Sequence, residues 1–126
     1  VQFQVFSKHN FIKKKKDNVT IYPLDNDRFI KSMASSSGVI CGAGFETPSE
    51  ALFLGKKLAV VPMKDQYEQH LNAAILKEMG VTVINKLKSG MDDLGAWISM
   101  GDVIKVDYPD HAQEIVDRII KKHAKL

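Results

Sequence analysis

Residues 39–50 read Val-Ile-Cys-Gly-Ala-Gly-Phe-Glu-Thr-Pro-Ser-Glu, and this stretch decides the fold of the chain. Its apolar beginning predicts a buried strand over residues 39–41. Gly42 and Gly44 follow, one residue apart. Glycine allows backbone conformations, and close approaches by another molecule, that a side chain would prevent. The stretch therefore predicts a strand that ends in a sharp turn.

A helix-start signal follows this turn. Thr47 suits the N-cap, Pro48 suits the first helical position, and Glu50 suits the far half of a capping box. A glycine turn at a helix N-terminus presents unpaired N–H groups and the positive end of the helix dipole, and both favour a phosphate group. We therefore expect an anion-binding turn here.

Strand and helix patterns alternate along the whole chain. Predicted strands cover residues 2–6, 19–22, 39–41, 57–61 and 81–84, with a short extended piece at 103–106. Predicted helices cover residues 25–36, 48–55, 67–79 and 91–100, with a last helix opening at 109–110. This alternation predicts an α/β fold, a Rossmann-like parallel sheet with helices on both faces. In such sheets ligands bind beyond the carboxyl ends of the strands.

Residues 42–47 also partly match the dinucleotide-binding fingerprint G-x-G-x-x-G. Thr47 stands where the third glycine belongs, and a match of this length is weak evidence. Asp65 lies about twenty residues on, where the fingerprint wants an acid, but three residues separate it from the strand that ends at Val61. A non-catalytic Rossmann-like module for a nucleotide or dinucleotide, NAD or FAD, is the alternative.

Residues 40–81 resemble the C-terminal, donor-binding half of GT-B fold glycosyltransferases, of the UDP-glycosyltransferase and peptidoglycan GlcNAc-transferase type. The resemblance reaches upstream to Tyr22-Pro23-Leu24 and fades after Ile84. Its motifs occur in the family's order and at family-like spacing: the glycine turn, Glu50-Ala51-Leu52, Gly55, Ala59-Val60-Val61-Pro62, Glu68-Gln69 and Asn72-Ala73.

The resemblance implies a donor site on this chain and no catalytic residue. The implied donor-binding residues are Leu24, Gly42, Ala43, Gly44, Phe45, Glu46, Thr47, Glu50, Glu68 and Gln69. In the family, the turn and helix start hold the diphosphate without a metal, and the residue matching Leu24 positions the base. The glutamate matching Glu50 accepts hydrogen bonds from the ribose hydroxyls. The pair matching Glu68-Gln69 binds the transferred sugar, and Asp65-Gln66 is the alternative pair.

One departure from the family concerns the leaving phosphate. Some relatives carry a basic residue or a histidine at this turn, and Gly42 and Ala43 occupy those places here. Stabilisation of the leaving group is then left to the helix dipole or to a residue elsewhere.

The implied activity is that of a full-length glycosyltransferase of the hexosyltransferase type. Such an enzyme moves a sugar from a nucleotide diphosphate, here expected to be UDP, to an acceptor hydroxyl that the motifs leave unspecified. Residues 1–126 would then be the donor domain, a truncated C-terminal half of a GT-B enzyme. The missing amino-terminal domain of the same protein would supply the acceptor site and the general base, so the fragment alone is expected to be inactive.

The composition of the chain limits which compartment, metals and cofactors are expected. With 126 residues, a net charge of +3 and one cysteine, Cys41, the chain suits a single domain in a reducing compartment, and we expect the cytoplasm. The histidines show no metal-ligand spacing, so neither a metal nor a cofactor is expected beyond the nucleotide-sugar co-substrate.

Basic residues cluster at 13–16 and again at 121–125, where Lys121, Lys122, His123 and Lys125 close the chain. We expect the first run to form an exposed loop, or to contact the acidic inner face of the membrane peripherally. No recognised nucleic-acid module accompanies it, so nucleic acid is not an expected partner.

Overall fold

The computed structural model describes residues 1–124, so Lys125 of the C-terminal basic cluster lies outside the described residues. The strands are β1 (Phe3–Phe6), β2 (Lys14–Lys16), β3 (Val19–Tyr22), β4 (Gly38–Gly42), β5 (Lys57–Val61) and β6 (Thr82–Val83). The helices are α1 (Asn26–Ser35), α2 (Glu46–Phe53), α3 (Tyr67–Glu78), α4 (Met91–Met100) and α5 (Ala112–His123).

The strands form two three-stranded sheets. In the first sheet the order is β1-β3-β2, with β1 parallel to β3. In the second sheet the order is β4-β5-β6, and all three strands are parallel. In the second sheet, α2 and α3 join the parallel neighbours, and this confirms the α/β, Rossmann-like prediction.

The basic run is the first place where the structure differs from the sequence prediction. Lys14–Lys16 is not a loop but a strand, β2, paired antiparallel with β3 through a turn at Asp17 and Asn18. Asp17 takes a left-handed conformation with φ of 51°, which aspartate tolerates better than most residues. Lysines on an edge strand hydrogen-bond with one neighbour and keep their ammonium groups in water, so the charge run and the strand are compatible.

The second sheet is covered on both faces, and β5 shows this by alternation. Leu58 and Val60 pack into one apolar cluster with Ala51 and Leu52 of α2 and with residues of α3. Ala59 of the same strand faces the opposite side of the sheet, where it packs with Ile84, which follows β6, and with Trp97 of α4. The apolar run at 57–61 is therefore buried on both sides, as expected for a central parallel strand.

Aromatic packing joins α1 to the first sheet. The Phe6 ring makes an edge-to-face contact with Phe29 of α1 at a centroid distance of 5.2 Å, and it stacks on Tyr22 of β3 at 5.5 Å. Met33, one turn further along α1 from Phe29, is buried. α1 begins after Asp25, whose carboxylate accepts a hydrogen bond from the Arg28 N–H.

Two helices pack differently from what their apolar stripes indicate. Of the apolar residues spaced every four, Leu71 and Ile75 in α3 are about half exposed, and Met79 just after the helix packs partly buried against the core; Ala73 and Leu76 are buried. In α5 no residue is buried, although its apolar stripe is regular. No helix among residues 1–124 combines the length and the apolar character that crossing a bilayer requires.

Candidate functional site

A shallow hollow of about 300 Å³ lies where β4 turns into α2. We call it the turn hollow; its lining residues are Cys41, Gly42, Gly44, Phe45, Glu46, Thr47 and Pro48. Nothing lies within 4 Å of the place where a Cβ on Gly44 would stand, so the backbone is open to another molecule there. The structure thus brings most of the predicted diphosphate-binding residues together around one space.

The start of α2 differs from the predicted start. The helix begins at Glu46, with Phe45 at the N-cap in helical conformation and without any side-chain capping bond. Thr47 is therefore the second helical residue and not the N-cap, and the capping box with Glu50 does not form. Pro48 becomes the third helical residue, where it sacrifices no hydrogen bond because the first helical N–H groups have no partner within the helix.

The shifted start determines which backbone donors face the hollow. Within the described residues, the N–H groups of Gly44, Phe45 and Glu46 have no hydrogen-bond acceptor in the protein. They lie at the positive end of the α2 dipole, and Pro48 contributes no donor. A run of free amides at a helix start is the arrangement that holds phosphate oxygens in many proteins.

The two carboxylates of α2 lie on one helical face. Glu46 lines the hollow, and Glu50 is exposed one turn further along, outside the lining. Among the described residues, no group donates a hydrogen bond to the Glu50 carboxylate. It therefore keeps both oxygens available for the two hydroxyls of a diol, although Glu46 places a negative charge beside the proposed phosphate position.

The side chain of Gln69 is hydrogen-bonded within the protein. Its Oε1 accepts hydrogen bonds from the Ala43 N–H at 3.2 Å and from the Met63 N–H at 3.0 Å. Its Nε2 donates to Gln66 Oε1 at 3.0 Å. Ala43 is fully buried, so it contributes its backbone but no exposed side chain to the turn. Glu68, the other member of the predicted sugar-binding pair, is exposed.

Asn72 is a residue that the predicted site did not include. Its Nδ2 donates to the Ala43 carbonyl oxygen at 3.1 Å, across 29 residues of sequence. Its spacing of three from Gln69 on α3 puts both amides on one helical face, and that spacing is the signal that could have identified it.

Apolar side chains are exposed just beyond the carboxyl ends of three strands. Leu24 after β3 is 66% exposed, Phe45 after β4 is 76% exposed, and Met63 after β5 is 53% exposed. Leu24 does not line the turn hollow. Each of the three stands at the end of its strand where α/β proteins bind ligands, and exposed apolar groups suit a nucleoside or another apolar surface.

The loop after β5 contains a backbone feature of its own. Asp65 has a φ of 63°, in the left-handed region, and it precedes Gln66, whose side chain meets Gln69. The alternative acid-Gln pair, Asp65-Gln66, therefore lies in the turn that leads into α3, whereas Glu68-Gln69 lies in the first turn of the helix.

Ionisable groups around the hollow are few. Burial raises the pKa of the Cys41 thiol to about 12, so this cysteine stays protonated at neutral pH. Across residues 1–124, no group of three or more His, Cys, Asp or Glu side chains is placed to hold a metal ion.

Comparison with known proteins identifies the family. Residues 1–100 match the family described as Glycosyl transferase family 1. No curated protein and no solved structure matches the chain. The family match covers well over half of the sequence, including both sheets and the turn hollow. The chain therefore belongs to Glycosyl transferase family 1.

Proposed function

We propose that this chain is the donor-binding domain of a glycosyltransferase of the hexosyltransferase type, with a UDP-sugar as its co-substrate. In the proposed reaction the sugar moves from the nucleotide diphosphate to an acceptor hydroxyl. The observation that carries the proposal is a set of three amides, at Gly44, Phe45 and Glu46, that have no acceptor among the described residues and belong to residues lining the turn hollow at the start of α2. A pyrophosphate bound there would accept from these amides and lie at the positive end of the helix.

Glu50 is proposed to bind the ribose. Its carboxylate is exposed, and the capping bond that could have occupied it is absent because α2 begins at Glu46. A carboxylate can accept from both hydroxyls of a vicinal diol at once. Leu24, exposed after β3, is proposed to pack against the base.

Glu68 and Gln69 are proposed to face the transferred sugar, since both lie in the first turn of α3, next to the end of β5. The exposed Glu68 carboxylate would accept hydrogen bonds from sugar hydroxyls. Gln69 has one Nε2 hydrogen left after its bond to Gln66, so it would donate to the sugar and not accept from it.

The division of labour within the enzyme is also part of the proposal. No histidine lines the turn hollow, and its cysteine is held protonated. We assign the acceptor site and the general base to an amino-terminal half of the same protein. This chain would then bind the donor, and alone it would transfer nothing.

The proposed compartment is the cytoplasm, with a peripheral contact to the acidic inner face of the membrane. The unpaired cysteine suits a reducing compartment. The exposed lysines of β2 follow two exposed apolar residues, Phe11 at 89% and Ile12 at 67% exposure. An apolar tip next to a basic strand matches the chemistry of an anionic lipid surface.

The proposal is tested by titrating the ¹⁵N-labelled chain with UDP and, separately, with NADH. UDP is expected to shift the amide signals of Gly44, Phe45 and Glu46. Glu50→Ala is expected to weaken UDP binding by about tenfold, because a hydrogen bond to a charged group is lost. The matched control is Glu78→Ala, which removes an exposed glutamate from α3.

Four results would contradict the proposal or one of its parts. If UDP leaves the three amides unmoved, the anion site does not exist. If Glu50→Ala and Glu78→Ala bind UDP equally well, Glu50 has no ribose role. If NADH shifts the turn and UDP does not, the dinucleotide module is the better reading. Steady sugar transfer by the isolated chain would overturn the division of labour.

A further inference from the structure

The backbone of Ala43 is hydrogen-bonded at both its N–H and its carbonyl oxygen by side chains on one face of α3. The Ala43 N–H donates to Gln69 Oε1 at 3.2 Å, and Asn72 Nδ2 donates to the Ala43 carbonyl oxygen at 3.1 Å. Gln69 Oε1 also accepts from the Met63 N–H at the end of β5. We call these two amide side chains the Gln69–Asn72 pair. Through them, α3 is bonded to the residues that follow β4 and β5.

These bonds add a directional constraint to a turn that is also held by the burial of Ala43 in the apolar cluster of the second sheet and by the pairing of Gly42 with Val61. Gly42 and Gly44 flank Ala43, and nothing lies within 4 Å of a Cβ placed on Gly44. A Cβ on Gly42 would meet Gln69 Oε1 at 3.4 Å, so this side chain lies directly against the turn. Glycines on both sides of Ala43 would otherwise leave the direction of the next amides free to vary.

We infer that the Gln69–Asn72 pair positions the diphosphate-binding amides. The main role of Gln69 is then to position the turn, and binding of the sugar is its secondary role. The inference rests on the proposed function, since it assigns the pair to the same donor site. Both lone pairs of Gln69 Oε1 are used by backbone N–H groups, so that oxygen has no capacity left for a sugar hydroxyl. Holding the Ala43 carbonyl fixes the plane of the peptide bond that carries the Gly44 N–H before the ligand arrives, which is preorganisation for binding.

A positioning role for Gln69 predicts a pattern of ligand binding that a sugar contact alone does not predict. UDP carries the pyrophosphate but no transferred sugar, and uridine carries neither. If Gln69 touches only the sugar, replacing it leaves UDP binding unchanged. If it positions the amides, UDP binding weakens while uridine binding is kept. A general loss of structure would weaken both ligands together.

The first measurement uses the free chain and needs no ligand. Gln69→Leu keeps the side-chain volume and removes the acceptor. Hydrogen exchange at the Ala43 and Met63 amides is expected to become about tenfold faster, because each loses a hydrogen bond. Gln69→Glu keeps an acceptor and is expected to retain protection. The control is His70→Leu, on the same helical turn but exposed.

The second measurement compares UDP, uridine and UDP-glucose. In Gln69→Leu we expect UDP binding to weaken by about five- to tenfold with uridine unchanged, since the bonds that orient the turn contribute about this much. Asn72→Ala, which removes the donor without adding a charge, is expected to act in the same direction. It also keeps the test usable if the leucine variant does not fold.

The outcomes separate this inference from the function on which it rests. Unchanged exchange in Gln69→Leu overturns the inference, and so does a loss confined to UDP-glucose or shared equally by uridine. If the unaltered chain does not respond to UDP, the proposed function fails. The exchange data then still show whether the pair holds Ala43, but its role in positioning a diphosphate is refuted.

Discussion

The indole ring of Trp97 lies directly against Gly38: a Cβ added at Gly38 would stand 2.9 Å from ring atom Cη2 of Trp97. This contact joins the first residue of β4 to the helix that covers one face of the second sheet. Gly38→Ala should therefore lower the free energy of unfolding by about 1–3 kcal/mol, the usual cost of overpacking a core. Urea unfolding followed by Trp97 fluorescence measures it.

Gly95 provides the matched control for this substitution. It lies on the exposed side of α4, and nothing would meet a Cβ there. Gly95→Ala should raise stability by about 0.5–1 kcal/mol because alanine is the better helix former. Equal stability of Gly38→Ala and the unaltered chain would show that the ring does not pack on β4.

Lys56 should stabilise the end of α1. Its ammonium donates to the carbonyl oxygens of Ala34 at 2.6 Å and Ser36 at 2.8 Å, and α1 has no basic residue in its own last turn. Lys56→Met should lower stability by about 1–2 kcal/mol, since it removes charge-assisted bonds at the negative end of a helix dipole. Lys105→Met, in an exposed irregular segment, is the control. A loss no greater than the control's would refute the cap.

Glu46 should weaken the binding of the proposed ligand. Its carboxylate lines the turn hollow beside the unpaired amides, where it repels a pyrophosphate. Glu46→Gln should tighten UDP binding by about two- to fivefold at low salt, with a smaller gain at high salt because the charge is exposed. Uridine binding should not change. A tightening that persists in 1 M salt would point to a cause other than charge.

Membrane contact can be tested on the lysines of β2. Replacing Lys14, Lys15 and Lys16 together by glutamine should reduce binding to phosphatidylserine vesicles by about a hundredfold, at roughly 1 kcal/mol for each lysine near the surface. Phosphatidylcholine vesicles and Lys105→Gln are the controls. If the unaltered chain does not sediment with anionic vesicles, the peripheral contact is wrong.

Cys41 should be nearly inert to alkylation in the folded chain. Burial raises its thiol pKa from 9.0 to about 12, and the thiolate is the reactive form. At pH 8 the folded chain should therefore contain about a thousandfold less thiolate than the urea-unfolded chain. Because burial raises its pKa, the Cys41 thiol contributes fully to the free energy of unfolding below pH 9, and this contribution is lost as the pH rises toward 12. Iodoacetamide rates across this range, and the alkaline stability of Cys41→Ala, check both statements.

Local chemistry made much of the fold predictable. Gly55 and Gly80 end their helices in left-handed conformations, with φ of 64° and 96°, because a side chain would be strained there. The apolar run at 57–61 marked a central strand because it is buried on both sides. The conformation at these positions depends on only a few neighbouring residues, so the helix ends and the central strand can be predicted from the sequence.

The structure differs from the sequence predictions where tertiary contacts determine the local conformation or the buried face. The apolar pattern of α3 fits two neighbouring faces, and packing against the second sheet selected Ala73 and Leu76 over Leu71 and Ile75. Phe45 adopts a helical conformation, which begins α2 before the Thr-Pro signal. Asn72 reaches Ala43 across the fold; its spacing from Gln69 puts both amides on one helical face, but local sequence does not show which backbone group that face meets.

The lysines of β2 have a consequence for how the first sheet can grow. In the described part of the chain, β2 and β1 are its two outer strands. A strand joining beside β2 would lie about 4.8 Å from a backbone that carries three lysines, and the same three lysines on a second copy would disfavour pairing at that margin. The β1 margin has no such row of cations. We therefore expect a second copy to pair with this sheet at the β1 margin, and a fibre, which needs both margins, is disfavoured.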